Sequence, residues 1–161
     1  MKRLFFILFF FSVIFFCSCQ RQDDILEYQD KGISAECLVN GEYRILLQKN
    51  QSSTTLTVKE PQEADGISFV IGDTVNAVFN ETSITIDKES LKGIYALSQI
   101  FSQSKEQLIN AVSSDEGSIL SFSDGECLYQ ITLGKNSLPK LVQISSQSFE
   151  YSVEILSIEL T

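Results

Sequence analysis

The stretch 55–87, TLTVKEPQEADGISFVIGDTVNAVFNETSITID, decides the fold. Its apolar residues fall on alternate positions: Leu56 and Val58, then Ile67, Phe69 and Ile71, then Val75, Ala77 and Phe79, then Ile84 and Ile86. Period two is the mark of strands with one buried face. Pro61 has no amide hydrogen to give a ladder, so it ends the first strand. The three runs that follow are too short and too closely spaced for crossover helices, and imply an antiparallel meander.

Toward the N-terminus, ISAECLVNGEYRILLQK (33–49) keeps the same period through Ala35, Cys37, Val39, Tyr43, Ile45 and Leu47. Asn40-Gly41 is a hairpin signal. A two-residue turn would set Val39 opposite Glu42 and mismatch the apolar sets. Either the loop is one residue longer, or Asn-Gly marks a bulge in one long strand. NQSS (50–53) reads as the turn before the next strand.

Toward the C-terminus the period changes. Leu91, Ile94, Tyr95, Leu97, Ile100 and Phe101, then Leu108, Ile109 and Val112, follow helical spacing between residues 88 and 113. Asp87 with Ser90 is a cap, Gly93 weakens the first helix, and SQS (102–104) divides the segment into two helices. Strand patterns then resume in SILSFS, ECLYQITLG, KLVQISS and FEYSVEILSIEL. In the last, the apolar set Phe149, Tyr151, Val153 and Ile155 shifts to Leu156, Ile158 and Leu160, which predicts a bulge near Ile155. Strands, a helix pair and more strands predict an α+β fold, in which a strongly curved antiparallel sheet, a half-barrel, wraps the helices.

The first 16 residues, MKRLFFILFFFSVIFF, are a targeting segment: Lys2 and Arg3 precede an apolar run in which Ser12 is the one polar residue. The run is shorter than the roughly 20 residues that a spanning helix needs. Phe16, Cys17, Ser18 and Cys19 follow, and this order resembles the lipobox of bacterial lipoprotein signal peptides. The resemblance implies that residues 1–18 are removed and that Cys19 becomes the lipidated first residue. Each buried acyl CH₂ contributes about 0.8 kcal/mol, so two or more chains hold a protein to a membrane. Residues 19–32 then read as a polar tether, and 33–161 as a single domain. The expected location is exported and membrane-anchored, on the outer face of the plasma membrane or at an outer membrane.

Removing the targeting segment takes away two cations and no anion, moving the net charge from −9 to −11. An acidic chain with no basic patch opposes nucleic-acid binding. The chain has no histidine, which excludes Ser-His-Asp and Cys-His catalysis and histidine-containing metal sites. Carboxylates occur in SSDEG (113–117) and SDGE (123–126), but both read as ordinary turns. No catalytic residue, metal or cofactor is expected beyond the acyl modification at Cys19, and the chain is not expected to be an enzyme. Cys37 and Cys127 are left as either a disulfide, permitted in an exported protein, or two buried free thiols.

The order of elements, with the strand–Pro–Gly–strand phrase of residues 55–71, resembles the LolA/LolB/LppX-type half-barrel of bacterial envelope lipoproteins and lipoprotein carriers. That resemblance implies an incomplete barrel closed by helices, which in some members encloses an acyl-accepting cavity and in others serves an envelope protein partner. Phe69, Ile71, Phe79, Ile84, Ile94, Tyr95, Leu97, Phe101, Tyr129, Ile131 and Tyr151 are the residues expected to line such a cavity or to fill a small core. The expected function is interaction with another envelope protein, the alternative being a lipid or lipoprotein-acyl binding module.

Overall fold

The computed structural model of the chain describes residues 28, 30–114 and 117–161. The targeting segment and Cys19 lie outside the described residues. Eleven strands form one antiparallel sheet, curved and unclosed. The first six are β1 (Ile33–Val39), β2 (Tyr43–Lys49), β3 (Thr54–Glu60), β4 (Ser68–Ile71), β5 (Val75–Phe79) and β6 (Thr82–Ile86). The rest are β7 (Leu108–Ser114), β8 (Gly117–Ser123), β9 (Leu128–Leu133), β10 (Pro139–Ser145) and β11 (Glu150–Leu160). The spatial order is β6-β5-β4-β3-β2-β1-β11-β10-β9-β8-β7. Two meanders are thus joined by the pairing of the first strand with the last, and β6 and β7 are left as the open edges.

The local readings account for most of this ladder. Val39 pairs with Tyr43, so Asn40, Gly41 and Glu42 form a three-residue loop, with Asn40 and Gly41 both at positive φ. In β11 the pairing steps from Glu36↔Ser157 to Cys37↔Ile155. Leu156 is therefore the extra residue of the bulge expected beside Ile155, which is why the apolar set changes parity there.

The helical segment differs from expectation. A 3-10 turn (Lys88–Leu91), opened by Asp87 accepting from the Glu89 amide, leads into one helix, α1 (Lys92–Ser98). The expected second helix is a strand: Leu108, Ile109 and Val112 lie in β7. A Ser104/Gln107 capping box closes only the 3-10 turn Lys105–Gln107, after which Leu108 turns extended. The helical spacing arose because β7 pairs irregularly between Leu108 and Asn110. That slip moves Ile109 and Val112 to the outer face, where both are exposed, while Leu108 and Ala111 pack on the core. β-Branched residues favour a pleated strand over a helix once the chain can pair.

The core lies between α1 and the concave face. Leu97, Ile100 and Phe101 descend from α1 and the turn after it, and Tyr28 meets the Phe101 ring edge-on at 6.2 Å. Tyr28 belongs to the segment expected as tether, yet it is 3% exposed, so packing begins before residue 33. A pair of backbone hydrogen bonds between Gly32 and Thr161 ties that entry to the end of β11. Gly93 has a structural reason: a Cβ there would collide with the Tyr151 hydroxyl. Its absence lets the start of α1 close on the Tyr151 side chain of β11, while the helix packs over β3 and β4.

Candidate functional site

Eleven residues were expected to share a cavity or core, and the structure divides them. Ile71, Leu97, Phe101, Tyr129 and Ile131 are buried core, and Phe69, Ile94 and Tyr151 are half-buried against it. Phe79, Ile84 and Tyr95 are exposed, Ile84 to 61%. The reason is coverage. Ile84 pairs with Ala77, which pairs with Phe69, which pairs with the buried Leu56, so all four share the concave face. At about 1.5 Å per residue, the seven residues of α1 span only about 10 Å and leave the β5–β6 end uncovered. Near the helix the residues fill space rather than line it.

Cys37 and Cys127 are free thiols, both buried. Cys37 is on β1 and Cys127 directly precedes β9, with β11 and β10 between those strands. Three strand spacings of about 4.8 Å separate β1 from β9 along the sheet, beyond the Cα separation a disulfide allows. Burial pushes the Cys37 thiol up to about 12 and, with the nearby Asp124 carboxylate, raises that of Cys127. Neither is poised as a nucleophile.

The cavity of note is a polar cleft of about 650 Å³ between the helical segment and two turns. One wall carries Tyr95, Gln99, Gln103 and Gln107; the other is formed by the turns 124–127 and 146–149. Each turn is held by its own first side chain. Asp124 accepts from the amides of Glu126 and Cys127, at 2.9 and 2.7 Å, and from the Tyr129 hydroxyl at 3.2 Å. Ser146 Oγ accepts from the amides of Ser148 and Phe149. These are the local side-chain bonds by which Asp and Ser shape turns.

Most of the charges in the cleft are already engaged; of its two cations, Lys88 alone lacks a carboxylate partner among the described residues. Lys92 bridges Glu89 at 3.1 Å and Glu126 at 3.6 Å, tying α1 to the 124–127 turn; its ammonium is raised, first through the Glu89 hydrogen bond. Lys88 sits over the Tyr95 ring at 5.4 Å. Burial, and then Asp124, raises the Tyr129 phenol above its ordinary value, so it stays a neutral donor. The groups offered to a ligand are therefore amides, hydroxyls and aromatic edges. No set of three or more His, Cys, Asp or Glu suited to a metal occurs among the described residues, and no described helix is long and apolar enough to cross a membrane.

Of the sequence candidates, Tyr95, Tyr129 and Cys127 line this cleft. Apolar spacing does not reveal the glutamines, which are polar and fall outside the apolar period of the segment. An interval of four residues from Tyr95 through Gln99 and Gln103 to Gln107 was the pattern that marks them.

No family model matches the chain, and no curated protein matches it. Several solved structures are similar in shape. An uncharacterized conserved protein from Thermus thermophilus aligns at 14% identity over 89% of this chain and 88% of that chain, with a TM-score of 0.48. A LolA superfamily protein from Nitrosomonas europaea aligns at 12% identity over 86% and 93%, with a TM-score of 0.45. MucB, solved in complex with MucA, aligns at 10% identity over 86% of this chain and 54% of that chain, with a TM-score of 0.41. Likeness at this level carries no argument about binding or activity.

Proposed function

We propose that the protein is a non-enzymatic, membrane-anchored envelope lipoprotein with a LolA-like half-barrel, acting through contact with another envelope protein. The observation that carries the reading is the filled concave side. Beneath α1, Tyr28, Leu97, Ile100 and Phe101 are each no more than 5% exposed and leave no room for an acyl chain, and the cleft beside them is polar. Apolar sites for small molecules are lined mainly by hydrophobic side chains. Anchoring rests on the N-terminal sequence: the basic start, the apolar run, Ser18 and Cys19.

Two experiments test it. Mass spectrometry of the native protein is expected to find a mature N-terminus at Cys19 carrying acyl chains, with Cys19→Ala moving the protein out of the membrane fraction. An unmodified N-terminus upstream of Cys19 sinks the anchoring. Crosslinking of the anchored protein, followed by purification and lipid extraction, separates the two binding classes. A discrete crosslinked protein supports the partner reading. Stoichiometric extracted lipid with no protein favours the acyl-binding alternative, for which the exposed Phe79 and Ile84 on the concave face are the relevant surface.

A further inference from the structure

The cleft has an unbalanced set of hydrogen bonds in its amide wall. Gln103 is 2% exposed, and its Nε2 donates to the Gln99 carbonyl at 2.9 Å. That contact fixes the amide's orientation, because the reverse would set two oxygens against each other. It leaves Gln103 Oε1 shielded from solvent with no partner among the described residues. Gln107 is complementary: its Oε1 accepts from the Ser104 amide at 2.8 Å, so it is the Nε2 end that remains to donate. A buried acceptor without a donor is costly, and such groups in native proteins call for an explanation.

We propose that this cleft binds a neutral polyhydroxylated ligand, a sugar of one or two rings. Neutrality follows from the charges. Lys92 is held by Glu89 and Glu126, and Asp124 by two amides and a phenol. Lys88, over the Tyr95 ring, is the one lining cation without a carboxylate among the described residues, and with three acids against two cations around the cleft the site does not favour an anion. Hydroxyls fit the amides because each can donate to Gln103 Oε1 or accept from Gln107 Nε2. Oε1 is shielded in the unliganded chain, so a hydroxyl reaches it when the soft terminal torsion of Gln103 turns, loosening the Gln99 bond in exchange for the new one. Tyr95, 36% exposed, and Phe149 give the ring's C–H face apolar surfaces. The volume falls within the range of about 300–1,000 Å³ typical of small-molecule sites. An extended peptide, by contrast, is held by a strand edge, whereas these walls are a helical segment and two turns.

The test is titration of the full-length protein in detergent with glucose, N-acetylglucosamine and chitobiose, and with the neutral peptide Ser-Gly-Ser-Gly, followed by calorimetry and ligand-observed NMR. Saturable binding of at least one sugar at about 10 mM or below is expected. Gln103→Leu, which removes the unpaired oxygen, is expected to weaken that binding at least about tenfold without lowering the melting temperature. Tyr95→Ala, at the exposed rim, gives a second reading should Gln103→Leu fold poorly, and is expected to weaken the same sugar. The proposal is overturned if no sugar saturates, if the bound sugar is insensitive to both variants, or if the peptide binds and the sugars do not. Membrane anchoring and partner crosslinking are measured separately, so failure here leaves those intact.

Discussion

Phe101→Ala tests the claim that the concave side is filled. Phe101 is 0% exposed, touches Tyr28 edge-on, and lies at the turn where the Lys49 ammonium donates to its carbonyl at 3.0 Å. Truncation removes a fully buried ring at a point pinned from both sides, so the surroundings can collapse only in part. Lost transfer energy and the residual void together make about 3–5 kcal/mol the expected cost, the usual range for a buried Phe→Ala. The Lys49 bond is to backbone and survives the change, which keeps the estimate from rising further. For a domain of this size, about 3–4 °C per kcal/mol gives a melting temperature lowered by roughly 10–20 °C. Urea unfolding is expected to show a lower midpoint with an unchanged slope. A fluorescent fatty acid such as cis-parinaric acid is expected to ignore both the wild type and the variant, whose new void is no larger than one ring. A loss below about 1 kcal/mol, or micromolar uptake of the probe by the wild type, would refute the filled-core argument and restore the acyl-cavity reading.

Three further outcomes follow from the packing. Gly93→Ala raises helix propensity by about 1 kcal/mol in isolation, yet is expected to lower the melting temperature, because its methyl meets a Tyr151 ring already stacked on Phe149 at 5.2 Å; a more stable variant would show that α1 does not close on Tyr151. Tyr28→Ala is expected to cost about 3 kcal/mol by urea denaturation, whereas a tether residue would cost nothing measurable. Cys37 governs part of the alkaline limb. Its folded value near 12 exceeds the ordinary 9.0, so the unfolded chain loses the proton first. Its contribution is intact below pH 9 and is lost as pH rises toward 12, by up to about 4 kcal/mol at 1.36 kcal/mol per unit. Cys37→Ala is expected to flatten stability against pH between 9 and 11, leaving the slope due to Cys127, Tyr129 and Tyr151; parallel curves would count against it.

The strands could be read from the sequence because period two is a local property. Leu56 and Val58, or Phe69 and Ile71, need only a pleated backbone to share a face, and the parity change at Leu156 announces its bulge wherever β11 pairs. Residues 104–112 could not be read this way. Leu108, Ile109 and Val112 satisfy helical spacing as well as a slipped strand, and the presence of β8 to pair with decided between them. Burial failed for a related reason: Phe79 and Ile84 alternate correctly, but whether a concave face is covered depends on where α1 ends.

The sequence by itself determined the antiparallel ladder, the acidic character, the absence of histidine chemistry and the signal-like start, because each is carried by residue type and short-range period. Tertiary structure decided that β1 closes against β11, that among the described residues one α-helix and not two plugs the curve, and that Cys37 on β1 and Cys127 just before β9 are too far apart to bond. It also decided that three glutamines and two turns face one another across a cleft. Their meeting depends on how sharply the sheet curves and on the Gly93 contact that seats α1 upon it. Both are properties of the packed molecule, and no local pattern encodes them.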